Sequence, residues 1–389
     1  MKRWLIVSLA LIIVLCSAMV SIAQVDLCAE NALQGKNDDA IQECTRQIIG
    51  VTKTSNIARS YLYRGIAYQA KQQFDKAIAD FGNAIKQNPK YAEAYNNRGN
   101  TFMMEGKLDK AIDDFTKAIK LNPSYEHAYF NRGTAYHEKD QFDKAIADYT
   151  KVIELRPNLF QAYFQRGLSY EAREKFDQAI ADFSKAIELN PGSERAYYRR
   201  GTLYLVKGKV DQAIADYNKV IELNPKHEDA YNNRGSAYLS QGRLDQAITD
   251  YSKAIELNPN NAQAYRNRGA AYQSQQQYKQ AAADFSKVIE LHPEDARAYF
   301  GRGIADAAQA KLDQAIADFK KTIELNPEES SAYYNLACAY AAKKNVDEAC
   351  IWLEEAVAHG YEKWEYIKKD PDLANIRVAA CYEKIMKGK

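Results

Sequence analysis

Proline is scarce in this chain, nine in 389 residues, and histidine is scarcer still at five. His127, His137, His227, His292 and His359 show no metal-ligand spacing, so they read as ordinary surface histidines and no metal is expected. The six cysteines include no pair of paired cysteines of the zinc type. There is no glycine-rich phosphate loop and no nucleophile elbow, so no catalytic residue and no cofactor is expected. Charge of one sign is lacking too. The formal net charge is +2, and Lys2 and Arg3 are the only charges in 1–23, which leaves 51 basic and 51 acidic residues beyond them. No basic excess invites nucleic acid.

The prolines that are present carry the main signal. Eight of the nine, from Pro89 through Pro123, Pro157, Pro191, Pro225, Pro259 and Pro293 to Pro327, stand 34 residues apart. A period of that length means one supersecondary unit, copied and stacked. In the first clear copy, 58–91, Tyr61, Gly65 and Tyr68 step by four and three, as do Ala77, Phe81 and Ala84. Each trio marks one face of a helix. The break Lys71–Phe74 separates them, Asp75 stands at the expected N-cap of the second helix, and Asn88-Pro89 ends it. The glycine column, Gly65 to Gly303, implies close approach of the two helices, with Gly65 opposite Ala77. A glycine inside a helix otherwise costs about 1 kcal/mol against alanine.

These columns closely resemble the tetratricopeptide repeat family over about 58–363. The resemblance implies an all-α, right-handed superhelical solenoid of antiparallel helix pairs, with a concave groove lined by the first helices. The expected organisation is a signal peptide at 1–23, a degenerate capping hairpin at 24–57, and eight repeats at 58–329. A degenerate ninth repeat at 330–363 and a C-terminal capping helix at 364–389 follow. Departures are few. Asp306 replaces an aromatic in the eighth copy. In the ninth, Ala337 replaces the glycine, Leu353 the second-helix aromatic and Tyr361 the proline.

Residues 1–23 read as a secretory signal. Lys2 and Arg3 precede an apolar run, Leu5 to Val20, and Ser21-Ile22-Ala23 offers a cleavage site, so cutting after Ala23 is expected. The alternative is an uncleaved membrane anchor. Export implies a periplasmic or secreted protein with no membrane insertion after cleavage. In such an oxidising compartment Cys28, in the glycine column, and Cys44, in the aromatic column, can bridge the N-terminal hairpin; two small buried thiols are the alternative. The pairing of Cys338, Cys350 and Cys381 stays open. A last helix is expected from Asp370-Pro371, with Leu373, Ile376, Ala380 and Ile385 as its apolar stripe.

Two charged columns are unusually regular. An arginine, Arg64 to Arg302, precedes each glycine, and an aspartate, Asp80 to Asp318, precedes each second-helix aromatic. Both vanish together in the ninth copy, as Leu336 and Trp352. Joint presence and joint loss predict ion pairs such as Arg166 with Asp182, with neighbouring copies (Asp148, Asp216) as alternative partners.

A repeat protein keeps constant what every copy needs to fold and varies what carries specificity. In the second copy Glu93, Asn96, Asn100 and Met103 share one first-helix face. Down the stack this face presents Phe130, Phe164, Tyr198 and Phe300, and beside them an amide-rich column, Asn97, Asn131, Gln165, Asn233, Asn267 and Asn335, interrupted by Arg199 and Gly301. An amide offers donor and acceptor together, matching a peptide backbone. The column resembles the asparagine ladder of the tetratricopeptide domain of O-linked sugar transferases, which grips extended peptides. The carboxylate clamp of chaperone-binding members is unmatched, because no copy carries lysine in the column of Leu62. The expected function is a non-enzymatic scaffold holding an extended segment or helix of a protein partner. A regulatory or substrate-recruiting subunit of a cell-envelope enzyme is the alternative, and a structural spacer a third.

Overall fold

The computed structural model describes residues 26–50 and 54–387. The signal segment and its cleavage site lie outside the described residues. Every regular element among the described residues is helical. The chain divides into two compact units, meeting between Pro191 and Gly192.

The N-terminal unit begins with α1 (Leu27–Leu33) and α2 (Asn37–Gly50), followed by α3 (Thr54–Ala70) and α4 (Phe74–Gln87). Next come α5 (Ala92–Met104), α6 (Leu108–Leu121), α7 (Glu126–Glu138) and α8 (Phe142–Leu155), then α9 (Phe160–Ala172) and α10 (Phe176–Leu189). The second unit continues the alternation with α11 (Glu194–Val206), α12 (Val210–Leu223), α13 (Glu228–Ser240), α14 (Leu244–Leu257), α15 (Ala262–Ser274), α16 (Tyr278–Leu291), α17 (Ala296–Ala308), α18 (Leu312–Leu325), α19 (Ser330–Ala342) and α20 (Val346–Ala358). Successive helices pack in pairs within each unit.

Each second helix buries a narrow stripe. In α6 it is Ala111, Asp114, Phe115 and Ala118, one helical face at i, i+3, i+4 and i+7. The helix ends where Asn122, held extended ahead of Pro123, caps it with its own N–H on the Ala118 carbonyl. The start differs from expectation. In the first copy α4 begins at Phe74 with Gln73 at the cap and no side-chain capping bond, so Asp75 lies inside the first turn. There its carboxylate faces the positive end of the helix dipole rather than capping it. The preceding turn passes through one left-handed residue per copy. It is glycine at Gly106, Gly208 and Gly242, and a side-chain-bearing residue at Gln72, Asp140, Glu174, Gln276, Ala310 and Lys344.

The glycine column has a partner beyond the alanine its spacing suggested. A Cβ on Gly65 would stand 2.6 Å from the Phe81 ring, and one on Gly167 would stand 2.8 Å from the ring of Phe183. The glycine therefore seats the aromatic sixteen residues on, and in the second copy the Ala111 carbonyl oxygen, in the column of Ala77, lies 3.2 Å from the same point. This explains the ninth copy, where Ala337 faces the slimmer Leu353, both fully buried. It also explains Gly301, where a Cβ would meet Phe285 of the neighbouring copy at 2.6 Å.

The C-terminal end departs from expectation. Instead of one helix from Asp370, the chain forms α21 (Trp364–Lys369), a 3₁₀ turn (Pro371–Leu373) and α22 (Ala380–Met386). The Asp370 side chain accepts from the Asp372 N–H, and Arg377 donates to the Asp370 carbonyl at 2.5 Å, which holds the bend. The buried residues are Ile367, Leu373, Ile376 and Tyr382, whereas Ala380 is exposed and Ile385 half-buried. Among the described residues no helix is long and apolar enough to cross a membrane.

Candidate functional site

The scaffold residues can be separated first, because they fix the backbone of the variable face. In all eight copies the arginine donates two parallel hydrogen bonds to the aspartate sixteen residues on, at 2.7–2.8 Å. Arg166 pairs with Asp182 of its own copy, their side chains 17% and 7% exposed. The bond to Asp182 raises the Arg166 pKa against the opposing effect of burial. A third donor, Nη1, reaches back to the preceding second helix: from Arg64 to Thr45, Arg132 to Thr116, Arg166 to Thr150, Arg234 to Asn218, Arg268 to Ser252 and Arg302 to Ser286. That small polar column escaped the sequence reading, although its offset is sixteen residues in the five pairs after Arg64–Thr45, where it is nineteen. The guanidinium also lies over two rings of its own helix, as Arg166 does over Tyr163 and Tyr170 at 5.7 and 5.8 Å.

The cysteines are placed as two bridges. Cys28 and Cys44 form a disulfide with 4.9 Å between their Cα atoms, where other copies have the glycine–aromatic contact. Cys350 and Cys381 form a second, tying α22 to α20. Cys338 is a buried thiol whose pKa burial pushes upward. Its sulfur approaches Asp370 and Asp372, the described trio of potential metal ligands. Asp370 is already engaged by the Tyr334 hydroxyl and by the Asp372 N–H, so the cluster serves the C-terminal bend.

On the variable face of the N-terminal unit, the amides are stitched into the protein rather than left open. Asn131 donates to Asn96 Oδ1 at 3.0 Å, and Asn97, 8% exposed, donates to the backbone oxygen of Glu93 at 2.9 Å. Phe130 is half-buried, edge-on to Tyr149 at 5.6 Å. Phe164 is only 6% exposed and leans on Phe183, so its ring is core rather than an open anchor. The surroundings are poor in water. Burial raises the pKa of Glu93 and of Tyr91 and Tyr125 on either side, and lowers that of His127. At Glu93 the Arg59 guanidinium opposes that rise, and the buried side-chain oxygens of Asn100 (Oδ1) and Gln161 (Oε1) accept no hydrogen bond. This face therefore carries acceptors that lack donors.

The second unit repeats the stitching. Asn233 donates to the Tyr198 hydroxyl at 3.1 Å, and Asn267 to Asn232 Oδ1 at 3.2 Å and Ser236 Oγ at 3.4 Å. Asn335 donates to the Ser331 backbone oxygen at 2.7 Å. Tyr198 stacks on His227 at 4.8 Å, and Phe300 leans on Phe319 at 6.0 Å; both stay half-buried. The bonds from Asn131, Asn233 and Asn267 span 35 residues, so one amide column ties adjacent copies through the column beside it.

Comparison with known proteins follows the same architecture. Family profiles described as "TPR repeat" match 65–106, 203–242 and 235–276, and those described as "Tetratricopeptide repeat" match 92–125, 127–159, 160–193 and 262–295. Further profiles of the latter description match 302–363 and 183–215. Together they cover well over half of the chain. No curated protein matches. Among solved structures, the C-terminal part of a repeat-containing protein from Cytophaga hutchinsonii is 22% identical, with a TM-score of 0.53 over 61% of this chain and 98% of its own. YrrB, described as a protein of this type with an unusual peptide-binding site, is 26% identical (TM-score 0.44, 47% of this chain, 95% of its own). MamA is 31% identical (TM-score 0.40, 42% and 95%).

Proposed function

The chain belongs to the tetratricopeptide repeat family, whose members are protein–protein interaction scaffolds, and from that premise we propose that it is an exported, non-enzymatic scaffold that holds an extended segment of a partner protein. Such a segment lies along the first-helix faces of one unit, past Phe130 in the N-terminal unit or past Tyr198 and Phe300 in the second. One observation carries the reading. Buried acceptors on Asn100 and Gln161 have no donor, and the Glu93 carboxyl, on the same helix as Asn100, is desolvated strongly enough that its pKa rises against the pull of Arg59. Leaving such groups unmade costs about 1–3 kcal/mol each. An extended peptide brings backbone N–H donors at regular intervals, and these oxygens accept them. Asn97, Asn131, Asn233, Asn267 and Asn335 act in this reading by holding the face rigid, and the half-buried rings select side chains by burying apolar area. The extracytoplasmic setting is supported by Lys2, Arg3 and the apolar run to Val20, and by two disulfides, which persist in oxidising compartments.

The test is capture of partners by the mature chain after crosslinking. Phe130→Ala and Phe300→Ala weaken capture while circular dichroism stays unchanged, and Glu154→Ala on a second helix leaves it intact. Normal capture by both ring variants would overturn the reading. A stable co-purifying enzyme would redirect it to a recruiting subunit of an envelope complex.

A further inference from the structure

The eighth copy breaks a packing rule that the other copies keep. From Tyr68 to Tyr272, seven successive copies place a ring 5.6–6.0 Å from the guanidinium of the arginine four residues earlier. The tyrosine three residues before it lies 5.5–5.7 Å from the same guanidinium, so each of these arginines has two ring neighbours. Its in-plane N–H groups are meanwhile spent on the aspartate and on the preceding helix. A second cation commonly approaches the outer ring, as Lys144 does over Tyr136 at 5.2 Å and Arg243 over Tyr238 at 4.3 Å.

In the eighth copy the outer ring is absent, because Asp306 stands in its column. Arg302 still bonds Asp318 and Ser286 and still covers Tyr299 at 5.7 Å. Its second ring neighbour is missing. The space is a cavity of about 470 Å³ between α16, α17 and α18, lined by Arg302, Asp306, Lys311, Lys279, Ser286 and Gln314 and floored by alanine methyls. That volume falls within the range of roughly 300–1,000 Å³ of ligand sites. At its base the Asp306 side chain is 5% exposed as a residue, and Lys311 donates to it at 3.3 Å from a side chain still half in water.

We propose that this cavity receives an aromatic side chain bearing a hydrogen-bond donor, tyrosine or tryptophan, from a partner protein. The ring takes the place of the missing one, face to face with the Arg302 guanidinium, and its O–H or N–H donates to the Asp306 carboxylate. Three features select this occupant. The slot has the shape the repeat gives to a ring. The cationic face of Arg302 attracts a π system by an interaction that strengthens as water is removed. A buried carboxylate whose one ion-pair partner, Lys311, stays half in water, with Arg302 acting on it only through its charge, rewards a further hydrogen-bond donor, which phenylalanine does not have. The lining comes mainly from second helices, so the site does not depend on the groove and adds a second point of attachment.

The experiment uses the mature full chain and three probes, p-cresol, toluene and N-acetyltyrosinamide, followed by NMR titration of the protein. The expected result is saturable binding of p-cresol about tenfold tighter than toluene, in line with a hydrogen bond to a charged acceptor. N-acetyltyrosinamide binds at least as well as p-cresol. Asp306→Asn abolishes the preference over toluene. Asp306→Tyr, which restores the ring, abolishes binding of all three and raises Tm by about 2–4 °C. No saturable binding, or unchanged binding in Asp306→Tyr, would overturn the site. A lowered Tm in Asp306→Tyr would overturn the ring slot. Binding of p-cresol without N-acetyltyrosinamide would overturn the protein side chain as occupant.

Discussion

The contact between a first-helix glycine and a second-helix ring is the joint on which every hairpin turns, and Gly167 with Phe183 tests it. In Gly167→Ala the new Cβ would stand 2.8, 3.0 and 3.3 Å from three ring atoms of Phe183. Ordinary contact begins near 3.4 Å, so the fully buried ring must move. Overpacking of this kind costs about 1–3 kcal/mol, against up to about 1 kcal/mol recovered from helix propensity. A net loss of about 1 kcal/mol follows. Phe183→Leu alone leaves a partial cavity and costs about 1–2 kcal/mol. The double variant reproduces the pair Ala337 and Leu353, so the clash disappears while the propensity gain stays. It should be about 1–3 kcal/mol more stable than the sum of the single losses, which is a coupling readable in a mutant cycle. Long repeat arrays need not unfold in one step. The assay is therefore hydrogen exchange across α9 and α10, which reads local opening free energies. Additive losses, or a simple stabilisation by Gly167→Ala, would refute the argument.

Three further outcomes follow from particular contacts. Arg166→Ala and Asp182→Ala each leave a largely buried partner charge and cost up to about 3–5 kcal/mol, while the double variant costs much less than the sum; additivity in the same exchange assay would count against coupling. The Cys28–Cys44 bridge, with a sequence separation of 16, contributes about 3 kcal/mol in the chain-entropy account, and non-reducing peptide mapping of exported protein should recover the linked pair; two free thiols there would contradict it. Glu93 has its carboxyl pKa raised by burial, so the folded state binds a proton more readily than the unfolded chain. Its stabilising contribution is complete below about pH 4.3 and is lost as pH rises through the folded pKa, so wild type loses stability relative to Glu93→Gln across that rise. A stability difference that does not change with pH would sink this reading.

Much of the architecture was legible in the sequence. Helix ends followed from the prolines, helix faces from steps of three and four, and the arginine–aspartate pairing from the shared loss at Leu336 and Trp352. What was not legible lies at offsets that only packing reveals. Gly65 was matched to Ala77 across the hairpin, but the ring of Phe81, which stands nearest to it, was not foreseen. The amides of Asn131 and Asn267 looked free because their partners, Asn96 and Asn232, stand 35 residues back on the next helix pair. Phe164 shares a column with the half-buried Phe130, Tyr198 and Phe300, yet its own copy encloses it. The C-terminal cover defeated a stripe argument. Its course is set by Asp370, Arg377 and the Asn375 bond to the Ala341 carbonyl, contacts with no periodic trace.

The account rests on the first-helix faces being where a partner lies. A photo-crosslinking residue placed in turn at Phe130, Asn100 and Phe300, and for comparison at the exposed second-helix positions Glu154 and Glu256, reads this directly in cells. Partner adducts at the three first-helix positions, with none at Glu154 or Glu256, are the predicted result. Adducts confined to the second-helix positions would contradict it.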